Sequence, residues 1–205
     1  MITLPSWHDT WHAYGASAAD EALFRQLVAC WSEKHRRYHT LQHLRECFER
    51  FDTVRDRAQT PCEIMLALWF HDAFYDPRRE DNELRSAEWA RECVAAAGLG
   101  ASKAQRMFDL VMATCHDAVP DDADARLLVD VDLSILGAEP TRFDESDMQI
   151  REEYAHVPDT EYRQSRKKVL RSFLDRPRLY STDDFHALLE SRARSNLERA
   201  LARLQ

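Results

Sequence analysis

Residues 64–70 read IMLALWF, an unbroken apolar run that starts just behind Thr60-Pro61 and leads straight into His71-Asp72. A helix that is apolar on every side has no face to offer solvent and has to lie inside a shell of other elements. The start signals are those of a helix. Thr60 is an N-cap, Pro61 takes the first helical position where its missing N–H costs nothing, and Glu63 falls where a capping box places its acid. The run is far too short to cross a bilayer. It therefore predicts a helical bundle with this segment at its centre, whose last turn delivers an imidazole and a carboxylate to the edge of the core.

The flanking sequence supplies the shell. Leu23, Leu27 and Trp31 recur at helical spacing in a helix over about 18–31, with Ser17 as its cap, and Leu41, Leu44, Phe48 and Phe51 do the same over about 38–57. Asp81 or Asn82 opens a helix that closes at Gly98, a residue suited to the left-handed position after a helix end. Ser102 opens the next, reaching about His116, and residues 121–135 form another that closes near Gly137. Helices near 140–156 and 159–175 follow, the second stopped before Pro177, and Ser181 or Thr182 caps the last over 183–204. No stretch alternates with a period of two, and only 4 glycines are available for the turns that β-rich folds need. The expectation is an all-α bundle of about eight to nine helices: one domain over 1–205 whose part from about 140 onward is a helical extension.

Charge and cysteine usage narrow the function classes. The net charge is −8 and no basic patch dominates, which argues against a stable complex with nucleic acid. An acidic chain still accepts an anionic substrate where a metal and a few local cations offset the field. The 5 cysteines are odd in number and include no CxxC, so neither a disulfide framework nor a zinc knuckle is indicated; reduced thiols in a cytoplasmic protein are expected. The opening MITLPSWHDTWHAYG lacks the basic-then-apolar pattern of a secretory signal, and no membrane association is expected.

Four groups of residues carry chemistry. His39 and His43, four apart, share a face if both are helical, a spacing that suits two ligands, a ligand with a catalytic neighbour, or two surface histidines. The metalloprotease motif HExxH is excluded, because Thr40 follows His39. His71-Asp72 offers two good ligands for a first-row divalent ion at the negative end of a helix dipole, or simply ends the helix. Asp130 and Asp132 sit in the apolar stretch LLVDVDLSIL, where burying a carboxylate needs a compensating partner. Being two apart they diverge on a helix, so Asp132 is expected to reach the site and Asp130 to cap the next turn. His116 either joins the site or complements the end of its own helix. Arg36, Arg37, Arg163, Arg166 and Lys167 are candidate grips for a phosphate, and Tyr75 and Tyr154 are candidates to stack on a base or to fill the core. A metal site built from several helices is what these residues alone support.

Taken in order, RRYHTLQHL (36–44), WFHDAFYDP (69–77) and DVDLSILG (130–137) resemble the HD-domain superfamily of metal-dependent phosphohydrolases. IREEYAHVPDTEYRQSRKKVLRSFL and the residues Glu190, Arg194, Asn196 and Leu197 resemble a bacterial subgroup of predicted HD phosphohydrolases. The resemblance implies that His43, His71, Asp72 and Asp132 hold one or two divalent ions. Mn, Fe, Co, Ni and Zn suit such mixed donors, and Mg suits a phosphate enzyme. YHTLQH also looks like the YHNxxH signature of cyclic-nucleotide phosphodiesterases, with Thr40 in place of Asn. That implies His39 as general acid, beside Asp72 and His116 as further catalytic groups, His116 through a second ion or the phosphate. The implied activity is hydrolysis of a phosphate ester or anhydride in a small phosphorylated substrate such as a nucleotide. The competing implications are a non-catalytic nucleotide-binding module and a di-iron oxygenase of the same superfamily.

Overall fold

The computed structural model describes residues 2–116 and 118–204. Among them there are ten α-helices and no strands, so the chain is all-α. It divides into two compact units, the first ending at Val131 and the second beginning at Asp132. No described helix is long and apolar enough to cross a membrane.

The first unit is built on α4 (Pro61–Phe70), whose residues 63–70 are all buried. Around it pack α1 (Leu4–Tyr14), α3 (Leu41–Asp52), α5 (Asn82–Ala96) and α6 (Ala101–Met112), with α2 (Glu21–Cys30) against α1. Trp69 is the hub of the aromatic packing, with ring centroids of Trp7 and Phe24 at 5.5 Å and Phe48 at 5.6 Å. The tilted and edge-on arrangements suit the ring quadrupoles. Two indole N–H groups are satisfied by backbone, Trp7 donating to the Asp20 carbonyl and Trp31 to the Trp69 carbonyl, each at 3.0 Å, whereas the buried Trp11 N–H has no hydrogen-bond partner among the described residues. Gly98 closes the α5–α6 turn at φ 75°, the left-handed geometry expected of it. The last helix to begin in this unit is α7 (Ala123–Asp132).

Several local expectations need correction. Helix α1 was not foreseen; Thr3 caps it and Trp7, Trp11 and Tyr14 bury one face. Helix α2 starts at Glu21 under an Asp20 cap, because the Asp20 carboxylate accepts the N–H groups of Ala22 and Leu23, leaving Ser17 outside. Helix α4 begins where predicted, but Thr60 makes no side-chain cap and Glu63 turns to Arg106 at 3.1 Å. The Asp124 carboxylate takes over, accepting the N–H groups of Gln59 and Thr60 at 2.8 Å each.

The second unit comprises a short 3-10 turn, Leu133–Gly137, and α8 (Pro140–Glu153), α9 (Asp159–Leu174) and α10 (Asp183–Arg203). The turn packs closely on α10. A Cβ on Gly137 would stand 2.6 Å from the Leu189 Cβ, so only glycine fits there. Asn196 donates to the Leu136 and Ala138 carbonyls at 2.9 Å, and the Tyr180 hydroxyl donates to the Leu133 carbonyl at 3.1 Å.

Candidate metal centre

The ends of three helices carry the chemistry-bearing residues. Thr40 caps α3 by accepting the Gln42 N–H, so the helix starts at Leu41 with His43 in its first turn. His39 therefore lies before the helix, and the expected shared helical face with His43 does not exist. The two rings still come within 6.1 Å, edge to face. His71 sits at the C-cap of α4, and Asp72 follows as the chain turns away. Asp132 is the last residue of α7.

His71 is the best-defined of these groups. Its Nδ1 lies 2.8 Å from the Leu68 carbonyl, which can only accept, so Nδ1 carries the proton. In the neutral ring the Nε2 lone pair then points the other way. It meets the Nε2 of His43 at 3.3 Å and the Oδ2 of Asp72 at 3.1 Å; the third side of that triangle, His43 Nε2 to Asp72 Oδ2, is 3.9 Å. Bonds of about 2.0–2.2 Å to a common ion separate neighbouring ligand atoms by about 3.0–3.5 Å. Two sides of the triangle fall in that range and the third is slightly open. His43 and His71 are 2% and 1% exposed, and Trp31 and Tyr38 wall them in, with centroids 5.3 Å from the His71 ring and 4.7 Å from the His43 ring. Packing of that kind locks ring orientation and excludes water.

Ligand atoms of His43, Cys47, His71 and Asp132 all lie within 4.8 Å of one another, a group that can hold a metal ion. Three of the four were expected. Cys47 was not, although its place four residues after His43 on an amphipathic helix was a readable signal. Its Sγ is 3.7 Å from both His43 nitrogens. Equal distances put the sulfur beside the ring's midline, off the axis of the Nε2 lone pair. Cys47 lies beside the His43 imidazole, and Asp72, an expected ligand, is not a member of this group, although its Oδ2 is 3.1 Å from His71 Nε2. Asp130 is completely buried within α7, two residues before Asp132.

Around this centre, His39 stacks on Tyr75 with centroids 4.0 Å apart and planes 27° from parallel. Tyr75 is engaged on its backbone too, where its carbonyl accepts from His35 Nε2 at 2.7 Å. Helix α6 stops at Met112, short of the expected end at His116; a 3-10 turn follows, and His116 takes φ 60°. It is the one described non-glycine residue with positive φ, a strained geometry that concentrates at functional segments. His116 stands outside the four-residue group.

The arginines expected to grip a phosphate all have partners within the protein. Arg36 is 2% exposed and its five N–H groups are all spent: two on Glu33 at 2.9 and 3.0 Å, and one each on the carbonyls of His39 (3.3 Å), Asp72 (2.6 Å) and Ala73 (2.9 Å). Nothing remains for a substrate phosphate. Arg37 is exposed and donates to the Lys34 and Arg36 carbonyls. Arg166 is paired with Asp147 at 2.7 Å and Arg163 with Asp159 at 2.9 Å, inside the second unit. These pairs give both guanidinium groups partners within the second unit. Tyr154 packs near His156 and Tyr162. No family model, curated protein or solved structure matches this chain.

Proposed function

We propose that the chain is a metal-dependent phosphohydrolase of the HD-domain type, acting on a phosphate ester or anhydride of a small molecule such as a nucleotide. The observation that carries the reading is the His71 ring: its proton is committed to the Leu68 carbonyl, and its lone pair faces the His43 nitrogen and the Asp72 carboxylate. Three electron-rich atoms gathered this closely in a buried, aromatic-walled place form a receptacle for a cation. His43, His71, Asp72 and Asp132 would hold it. A divalent ion there supplies Lewis-acid polarisation of a phosphoryl oxygen and a nucleophile at neutral pH.

The chain's own groups do the rest. Asp72, more exposed than either histidine, orients the attacking water and accepts its proton. His39, beside the centre and held by the Tyr75 ring, donates a proton to the departing oxygen, a role suited to an imidazole near neutrality. With Arg36 committed to the backbone, the phosphate's charge falls mainly to the metal.

The test is to purify the protein without chelators, determine its metals by elemental analysis, and assay it with added Mn. The substrates are bis-p-nitrophenyl phosphate, p-nitrophenyl phosphate and a nucleotide panel, with His71→Ala and Asp132→Ala alongside. Bound metal and turnover lost in both variants is the expected result. A wild-type protein that binds no metal and turns over nothing, or a His71→Ala protein with full activity, overturns the proposal.

A further inference from the structure

A fully buried arginine beside a cluster of electron-rich atoms calls for a reason. The Arg36 side chain has no solvent exposure, and an arginine is rarely buried unless it is paired. Its partners come from two stretches of chain: its own, with Glu33 just before it and His39 ahead of α3, and Asp72-Ala73 beyond the end of α4. The Asp72 and Ala73 carbonyls follow the last turn of α4, where no helical N–H is available to them and where the helix dipole favours a cation. The guanidinium also lies 5.6 Å from the Trp31 ring centroid and 5.5 Å from that of Tyr75. Trp31 is the wall of both metal-site histidines, and Tyr75 is the support of His39.

We infer that Arg36 is the positioning residue of the metal centre: it ties the segment that carries His39 and His43 to the segment that carries His71 and Asp72, and so fixes the spacing of the ligand atoms. The inference rests on the reading of the centre as a metal site. The mechanism is geometric. Nη1 bridges the His39 and Asp72 carbonyls, one from each segment, and Nη2 fixes Ala73 next door. A rigid fork holds these carbonyls at set distances from one another; a lysine ammonium has three donors at one point and cannot reproduce the pattern. Without the fork, Asp72 is free to leave His71 and His43, and the 3.3 Å approach of the two imidazoles is no longer enforced.

The experiment compares Arg36→Met and Arg36→Lys with the full-length wild type. Affinity for Co and Mn is read by chelator competition, the Co absorption spectrum is recorded, and the thermal midpoint of each metal-free protein is measured. Arg106→Met is the matched control. Arg106 is an ion-paired arginine of the same unit, bonded to Glu63 and Asp122, so its loss reports what an ordinary structural arginine does. Loss of a partner that orients metal ligands weakens metal binding by about ten- to a hundredfold. That loss is expected in both Arg36 variants, with an altered Co spectrum, whereas Arg106→Met lowers the midpoint and keeps wild-type affinity and spectrum. If Arg36→Met fails to fold, the Arg36→Lys values decide the matter. Wild-type affinity in an Arg36 variant, or an equal loss in Arg106→Met, overturns the role of Arg36 and leaves the centre standing. A wild-type protein that takes up neither metal overturns both.

Discussion

Two regions of this chain bury polar side chains, and they do so by opposite rules. In the second unit, the Glu190 carboxylate accepts the N–H groups of Leu179 and Tyr180 at 3.0–3.3 Å and pairs with Arg194 at 2.7 Å. Arg194 passes its remaining donors to the carbonyls of Leu174, Arg176 and Pro177. These bonds sew down the loop between α9 and α10. Around His71 the sequence of partners is different: an imidazole lone pair faces a second imidazole nitrogen and a carboxylate. The first arrangement joins a carboxylate to protein donors; the second sets two imidazole nitrogens and a carboxylate oxygen side by side. The residues gathered at His71 include a group that could hold a metal ion, whereas the partners of Glu190 are protein donors.

The strongest way to break that contrast is to remove a ligand. His71→Ala and Asp132→Ala are expected to lower metal affinity by about a hundredfold or more, beyond what loss of an outer partner does. Binding of metal by the native state alone raises wild-type stability, by about 2.7 kcal/mol at a free metal concentration a hundred times Kd. Both variants should lose that increment in thermal melts with and without metal. A metal-dependent gain that survives in His71→Ala would show that the ion binds elsewhere.

Glu190→Ala probes the other rule. It strips the partner from two buried N–H groups and from Arg194, and is expected to cost about 3 kcal/mol in urea unfolding. The cost should be the same with and without added metal, because the partners of Glu190 are all protein atoms. A cost that vanishes when metal is added would erase the distinction between the two regions.

Acid separates them more gently. Burial pushes the Glu190 carboxyl up, but the hydrogen bonds from Leu179, Arg194 and Tyr180 outweigh it and hold the group below its ordinary 4.5. The Arg203 hydrogen bond, against burial and with help from Arg199, holds Asp144 at about 2 against an ordinary 3.8. Both folded values lie below the unfolded ones, so the stability they contribute is complete above the unfolded values and is lost as pH falls through the folded ones. Metal-free protein should therefore keep level contributions from these groups between pH 7 and about 5 and lose them below about pH 4. Asp144→Asn should flatten the lower part of that fall in a urea titration at each pH.

How much of this was legible depends on whether the partners were near in sequence. The central helix was readable because residues 64–70 are apolar on every side, and Gly98 because a helix end and a glycine coincide. Helix α1 had its signals in Thr3, Pro5 and the 7-11-14 aromatic spacing, but they lie in a polar stretch that resembles a tail. Of the centre, His43, His71 and Asp132 came from pattern and resemblance, and the structure brings them together with Cys47. The role of Arg36 was not readable. Its partners are mainly backbone carbonyls, two of them 36 and 37 residues away, and a carbonyl leaves no mark on the identity of its residue. Arg36, next to Arg37 and a histidine motif, therefore suggested a phosphate grip.

The smallest expected effect tests the same lesson at the start of α4. Sequence logic assigned the capping of this helix to Thr60 and Glu63, whereas the N–H groups of Gln59 and Thr60 are held by Asp124, more than sixty residues away. An N-cap threonine that makes its bond costs about 1 kcal/mol to replace by alanine. Thr60 makes none, so Thr60→Ala should cost only a few tenths of a kcal/mol by the same scale. Asp124→Ala removes a buried acceptor from two N–H groups and should cost about 2 kcal/mol. Urea unfolding of the two variants, each measured without metal, orders them. If Thr60→Ala proves the more costly, the local reading of the helix start was right after all. If Asp124→Ala does, then even the most readable helix of this chain is anchored by a contact that its own sequence does not announce.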